Sequence, residues 1–161
     1  MVKTKNVVGR RKVRYDSYED LLGDAQALTS SEVRTLGNWS FGQILVHVAQ
    51  AIDSSIDGAG FALPWPLRWA MTLLMKKKFL SQALPPGFKS SPSFIPADDV
   101  SVENGLALLQ KAVARQGLET KRAPHPAFGS ISAHEWTDFS LRHAEMHMSF
   151  VVPDSLCRDF K

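Results

Sequence analysis

The chain has 161 residues, 44% of them apolar and 22% charged, which is the composition of one folded domain and excludes global disorder. A single cysteine, Cys157, excludes an intramolecular disulfide and favours a reducing, cytoplasmic compartment. The formal net charge of +3 is unevenly distributed, because lysines and arginines crowd the first residues.

Residues 1–14 form a basic arm that precedes any apolar pattern, and we expect this arm to be flexible. A basic arm can touch nucleic acid, but no aromatic residue for base stacking occurs before Tyr15. We therefore predict no specific nucleic-acid recognition. Residues 15–152 are predicted to form a single domain, followed by a tail over residues 153–161. The basic residues of the arm are Lys3, Lys5, Arg10, Arg11, Lys12 and Arg14.

Two amphipathic helices are predicted after the arm. Asp16 or Ser17 can cap the first helix. The second begins with a capping box of Ser40 and Gln43, in which each side chain satisfies a free backbone N–H. His47 lies on the second helix, with Gln43 and Gln50 about one turn to either side on the same face. The apolar stripes are Tyr18, Leu21, Leu22, Ala25 and Leu28 in the first helix and Phe41, Ile44, Leu45, Val48 and Ile52 in the second.

A long crossover from Gly58 to Val100 separates these helices from the next pair. It carries one short predicted helix over residues 67–74, followed by three lysines, Lys76–Lys78. Prolines and an arginine interrupt its apolar run, so no transmembrane segment is predicted. We expect the region Leu63–Leu80 to pack on the chain's own bundle or on a second subunit, with a homodimer as the favoured partner. An anionic membrane surface is the alternative.

Two further amphipathic helices are predicted after the crossover. The third begins near Ser101 and ends at Gly117. The fourth begins at Ser132, which can form a capping box with Glu135. Its inward stripe holds two histidines four residues apart, whose side chains lie about 6 Å from each other on a helix. The stripe is Trp136, Phe139, His143, Met146, His147 and Phe150.

Four amphipathic helices without an alternating strand pattern predict an all-α protein, a four-helix bundle. Short links make the first and second helices antiparallel, and likewise the third and fourth. The long crossover, with its extra short helix, lets the second and third run parallel, in an up-down-down-up arrangement. His47 then lies about 10 Å from one helix start and the histidine pair about 10 Å from the opposite helix end, so their heights coincide.

Three imidazoles at one height predict a site for one divalent metal ion, with His47, His143 and His147 as ligands. The residues themselves do not choose between zinc, nickel, iron and manganese. A di-iron carboxylate site is disfavoured, because no histidine of the three has a glutamate three residues before it. His134-Glu135 begins a zincin motif, but Asp138 stands where that motif requires its second histidine.

Four residues are candidates to support the ligands. Ligating imidazoles usually donate their second N–H to a neighbouring group, and Gln43, Gln50 and Glu145 could accept it. His125, between two prolines, is a candidate for a fourth ligand or a supporting base, although such a histidine is often only a loop residue.

Two segments resemble the DinB-like superfamily of metal-dependent four-helix bundles. They are LGNWSFGQILVHVAQAIDSSIDG, which carries His47, and HPAFGSISAHEWTDFSLRHAEMHMSFV, which carries His143 and His147. The chain looks most similar to an uncharacterised branch of that superfamily with a long crossover and an HPxFG turn. The resemblance implies the up-down-down-up bundle, and zinc or nickel held by the three histidines. Superfamily members with known activities include thiol-dependent transferases and a thiol-dependent isomerase.

The expected function is therefore that of a divalent-metal-dependent enzyme, transferase-like or hydrolase-like, acting on a small molecule that the sequence does not identify. A low-molecular-weight thiol is the partner that the resemblance suggests. The alternative is a non-catalytic bundle in which the metal or the pocket only stabilises the fold or binds a ligand.

Overall fold

The computed structural model describes residues 2–88 and 91–154. Within those ranges the chain is mainly helical, as predicted, with six α-helices and one two-stranded sheet. The crossover contains two short helices where one was predicted, and the sheet was not predicted. The helices are α1 (Tyr18–Thr29), α2 (Phe41–Asp57), α3 (Trp65–Leu74), α4 (Lys76–Ser81), α5 (Val102–Leu118) and α6 (Ala133–Met148), and the strands are β1 (Val33–Thr35) and β2 (Val151–Pro153).

Serine side chains begin the four longer helices, as the sequence predicts. Ser17, Ser40 and Ser132 each accept a hydrogen bond from the backbone N–H three residues later, in complete capping boxes. Ser101 accepts the equivalent bond at the start of α5. These bonds satisfy N–H groups that have no partner inside a helix, so the sequence determines where each helix starts.

Helices α2 and α5 pack side by side and run in the same direction. Near their starts, Gly105 lies against the carbonyl of Gly42. Near their ends, the Ser55 hydroxyl donates to the Gln116 side chain (3.1 Å). The starts of α2 and α5 therefore lie together, and so do their ends. After α2 ends, the crossover returns the chain along the length of the two helices to the start of α5.

Helix α6 runs against the direction of α2. The Ala123 N–H, in the linker between α5 and α6, donates to the carbonyl of Ser55 near the end of α2 (2.8 Å). The indole N–H of Trp136, in the first turn of α6, donates back to the Ala123 carbonyl (2.9 Å). At the other end, the Leu36 N–H before α2 donates to the carbonyl of Phe150 after α6 (3.0 Å).

The buried core lies between these helices. Fully buried apolar side chains come from α1, α2, α5 and α6, which explains why the chain orders without a large sheet. The largest of them are Leu21, Leu45, Ile52, Leu109, Trp136, Leu141 and Met148.

The small sheet joins the segment after α1 to the segment after α6. The strands β1 and β2 pair antiparallel, with Val33 opposite Pro153 and Thr35 opposite Val151. Val151 and Val152 are buried, so this pair closes the end of the core near the last turn of α6.

The second half of the basic arm contacts the helices. The Arg11 guanidinium donates two hydrogen bonds to the Asp24 carboxylate (2.8 and 2.7 Å). Tyr15 is buried, and its N–H donates to the Glu145 carboxylate (2.8 Å). At the other end of the chain, Pro153 of the predicted tail belongs to β2. Residues 155–161 of that tail, with Cys157, lie outside the described residues.

Helix α3 is attached to the rest of the chain by one side only. Met71 and Met75 pack against the core, but none of the ten residues of α3 is buried. Among the described helices, none has the length and apolar character needed to cross a membrane.

Candidate metal centre

Helices α2 and α6 bring three histidines together. His47 is in the second turn of α2, and His143 and His147 are one turn apart near the end of α6. Because the two helices run in opposite directions, these positions lie at the same height. One ring nitrogen from each histidine lies within 4.8 Å of the other two, which is close enough for the cluster to hold a metal ion. The structure therefore unites the three residues that the sequence predicts as ligands.

The ring nitrogens have the spacing of ligands that share one ion. The Nε2 atoms of His143 and His147 are 3.1 Å apart. Two nitrogens bound about 2.1 Å from a zinc ion lie about 3.0–3.4 Å apart, for angles between a right angle and a tetrahedral one. The donor set of three imidazoles also suits zinc and nickel. The residues present thus fit a divalent ion.

A backbone carbonyl orients His47. Its Nδ1 lies 2.7 Å from the carbonyl oxygen of Phe94, in a short turn of the crossover at residues 92–94. A carbonyl oxygen can only accept, so Nδ1 carries the proton and the lone pair of Nε2 is free. This is the support that a ligating imidazole usually receives, and it fixes the tautomer that binds a metal.

Aromatic rings enclose the cluster. The Trp39 ring stacks on His147, with ring centroids 5.5 Å apart, and also lies against His47 at 4.7 Å. On the other side, the Phe139 ring is parallel to His143 at 6.1 Å. These contacts hold the imidazoles in place and remove water from their faces.

Burial keeps the three imidazoles neutral. It lowers the pKa of His47, against the opposing effect of the hydrogen bond to Phe94. Burial is also the main reason that the pKa of His143 falls to about 3, with smaller contributions from His47 and His125. The pKa of His147 is lowered by burial and then by the neighbouring histidines. Neutral rings offer lone pairs instead of repelling a cation, so the cluster is ready for a metal at neutral pH.

The three histidines differ in their exposure to solvent. His47 is buried, whereas His143 and His147 each keep part of their surface in contact with solvent.

Two of the predicted supporting residues have other partners. The Gln43 side chain completes the capping box of α2 and donates to the carboxylate of Asp98 (3.2 Å). Glu145 is buried on another side of α6, where it pairs with Arg142 (2.9 Å) and accepts from the backbone of Tyr15. Among the described residues, neither side chain forms a hydrogen bond to a histidine of the cluster. The group beside Nδ1 of His47 is the Phe94 carbonyl.

Among the described residues, the side chains of the other two, His125 and Gln50, likewise form no hydrogen bond to the cluster. His125 is buried in the HPxFG turn, where its Nδ1 accepts from the backbone N–H groups of Ala127 (3.1 Å) and Phe128 (3.2 Å). Burial lowers its pKa to about 4. The Phe139 ring contacts the rings of both His125 and His143. The Oε1 atom of Gln50 is buried and accepts no hydrogen bond from the described residues.

Two features of the site were not predicted from the sequence. Phe94 contributes through its main chain, which leaves no mark in the sequence. The sequence does give an indication that Trp39 lies near the site, because it directly precedes the capping residue of α2 in a stretch almost free of charge. His134 is exposed and pairs with Asp138 (3.1 Å), as expected of a residue in the first turn.

Comparisons with known proteins identify a family. Searches of the curated proteins and of the solved structures give no match. The family described as "Protein of unknown function (DUF1569)" matches residues 8–154. That range contains all six helices and both strands. Because the match covers most of the 161 residues, the chain belongs to this family of unknown function, DUF1569.

Proposed function

We propose that the chain binds one divalent metal ion through His47, His143 and His147, and that it is a metal-dependent enzyme. The observation that carries the proposal is the convergence of three neutral ring nitrogens within 4.8 Å, one of them on an imidazole whose tautomer is fixed by a backbone carbonyl. A cluster of three imidazoles without an ion would have little reason to be buried together, because each ring loses hydration and gains few hydrogen bonds.

We also propose that α1, α2, α5 and α6 form the up-down-down-up bundle of the DinB-like superfamily. The shared direction of α2 and α5 supports this arrangement, as does the opposite direction of α2 and α6. The resemblance in the two histidine-bearing segments points the same way. Zinc or nickel is the ion that this superfamily would favour.

Three protein ligands leave a position for a further ligand. Catalytic zinc sites keep such a position, whereas structural sites are closed by four protein ligands. When bound, the ion would polarise a ligand at that position and lower the pKa of its proton. The protein residues have separate tasks: the Phe94 carbonyl holds the proton on Nδ1 of His47, and the Trp39 ring excludes water from one side. A small thiol is the ligand suggested by the resemblance, for a transferase-like reaction.

The non-catalytic bundle is the second candidate, and the aromatic enclosure favours it. Rings packed around all three histidines would suit an ion that only stabilises the fold. The two functions differ in one measurable property, the access of small ligands to the ion.

Metal content tests the site itself. Protein purified without a histidine tag, then loaded and dialysed, should hold one zinc, nickel or cobalt ion per chain. His47→Ala should lose that ion while its circular dichroism stays helical. The matched control is His134→Ala, which removes an exposed histidine outside the cluster and should keep the ion. Stoichiometric binding by a folded His47→Ala variant would show that the assignment is wrong.

Ligand access separates the two functions. The cobalt-loaded protein should change its visible spectrum when a small thiol or imidazole is added, because that ligand enters the open position. A metal-loaded protein whose spectrum ignores every added ligand would support the non-catalytic bundle instead.

A further inference from the structure

The outer face of α3 is an exposed apolar stripe. Trp65, Trp69 and Leu73 follow one another at four-residue steps, and their exposed fractions are 79%, 67% and 67%. The side attached to the protein carries Met71, which lies about 200° around the helix from Trp69 and packs against the core. Two large indole rings exposed to water on a single helix face are unusual for a monomer. They indicate that a binding partner covers this face.

All charged residues in the sequence around this stripe are positive. From Gly58 to Ala97 it contains one arginine and four lysines and no aspartate or glutamate. Lys76 is used internally, because it pairs with Glu135 (2.6 Å). Lys77 and Lys78, in the first turn of α4, are exposed.

The basic arm extends the same positive surface. Lys78 lines one cleft together with Arg10, Lys12 and Arg14 of the arm. The Arg14 guanidinium donates to the carbonyl of Ser81 at the end of α4 (3.2 Å). The lysines that follow the exposed indoles in the chain therefore adjoin the cations of the arm.

We propose that the outer face of α3 binds an anionic phospholipid surface, with Trp65 and Trp69 among the headgroups and Lys77 and Lys78 beside the lipid phosphates. Tryptophan favours the membrane interface because its ring is apolar and its N–H is polar. Lysines next to such a face add attraction to anionic lipids. A second copy of the chain fits less well, because a symmetric contact would place the basic surfaces against each other.

The expected contributions are large enough to measure. Each lysine near an anionic surface adds about 1 kcal/mol, or about fivefold in binding. Lys77→Gln with Lys78→Gln should therefore weaken binding about 25-fold. Because this binding is electrostatic in part, it should fall steeply when salt is raised from about 0.1 M to about 1 M.

Sedimentation with vesicles tests the proposal on the full chain. The protein should sediment with phosphatidylcholine vesicles that contain about one third phosphatidylserine, and far less with pure phosphatidylcholine. Trp65→Ser with Trp69→Ser should abolish both the sedimentation and the blue shift of tryptophan emission. Two control variants change exposed residues of α5 and its end: Lys111→Gln with Lys121→Gln, and Leu108→Ser with Leu118→Ser. Both should bind like the wild type.

Three results would overturn the proposal. The folded wild type could fail to sediment with the anionic vesicles at about 0.1 M salt. The Lys77 and Lys78 variant could bind as tightly as its Lys111 and Lys121 control. Analytical ultracentrifugation could reveal a dimer that the Trp65 and Trp69 variant converts to a monomer, which would identify a second copy as the partner.

Discussion

The contact between α2 and α5 allows a test of how closely these helices must approach. A Cβ atom added at Gly105 would lie 2.8 Å from the Gly42 carbonyl oxygen and 2.8 Å from the Cβ of Leu45. Both atoms belong to α2 and are held by its backbone, so neither can rotate away. Gly105→Ala should therefore force the two helices apart.

Two opposing effects determine the size of the loss. Alanine stabilises a helix interior by about 1 kcal/mol relative to glycine. Overpacking of a tight contact costs about 1–3 kcal/mol, and a clash with backbone belongs at the upper end. The free energy of unfolding should therefore fall by about 1–2 kcal/mol, which lowers the melting temperature by about 2–8 °C in a domain of this size.

Gly23→Ala is the matched control. Gly23 lies in α1, and a Cβ atom added there would have no atom within 4 Å. The same substitution should therefore stabilise the protein there by about 0.5–1 kcal/mol. Urea unfolding and thermal melts, both followed by circular dichroism, measure the two variants against the wild type. If Gly105→Ala proved as stable as Gly23→Ala, the close packing of α2 on α5 would be wrong.

Three further predictions concern the site and its surroundings. Chelation should leave a folded helical protein with a lower melting temperature, because the apolar core holds α2 and α6 together without the ion; complete unfolding by circular dichroism would contradict this. Burial lowers the pKa of His125 in the folded protein to about 4, so between pH 7 and 4 only the unfolded chain binds a proton there. The free energy of unfolding should therefore decrease as the pH is lowered through this range. His125→Asn keeps an acceptor for the turn but cannot be protonated. In urea titrations its free energy of unfolding should decrease by about 3 kcal/mol less than that of the wild type over this pH range, and an equal decrease would show that His125 is not the cause. Trp39→Ala should weaken zinc binding about tenfold by calorimetry, whereas Trp39→Phe should keep most of the affinity; equal affinities would exclude a positioning role.

The capping boxes and apolar stripes made the helical elements predictable. Ser40 with Gln43 and Ser132 with Glu135 act within four residues, so their effect does not depend on the rest of the fold. The spacing of the histidines is also local, because residues four apart must share a helix face. Helix lengths and the long crossover then sufficed to predict that His47 would meet the other two.

The two strands, by contrast, were not predictable from the sequence. Each has three residues, too few for an alternating pattern, and a strand of that length exists only when a partner lies beside it. The partner of β1 is more than a hundred residues away in the chain, so the pairing depends on the ends of α1 and α6 already being close.

What the sequence by itself determined is the helical framework and the identity of the three histidines. Only the tertiary structure decided what supports those histidines and which face of α3 stays outside. The group that orients His47 is the main-chain carbonyl of Phe94, and any residue in that turn would supply the same oxygen. The two faces of α3 are both apolar in sequence, one with Met71 and the other with Trp69, so hydrophobicity alone could not choose between them. In the folded chain the Met71 side of α3 packs against the core, and this leaves Trp65 and Trp69 exposed.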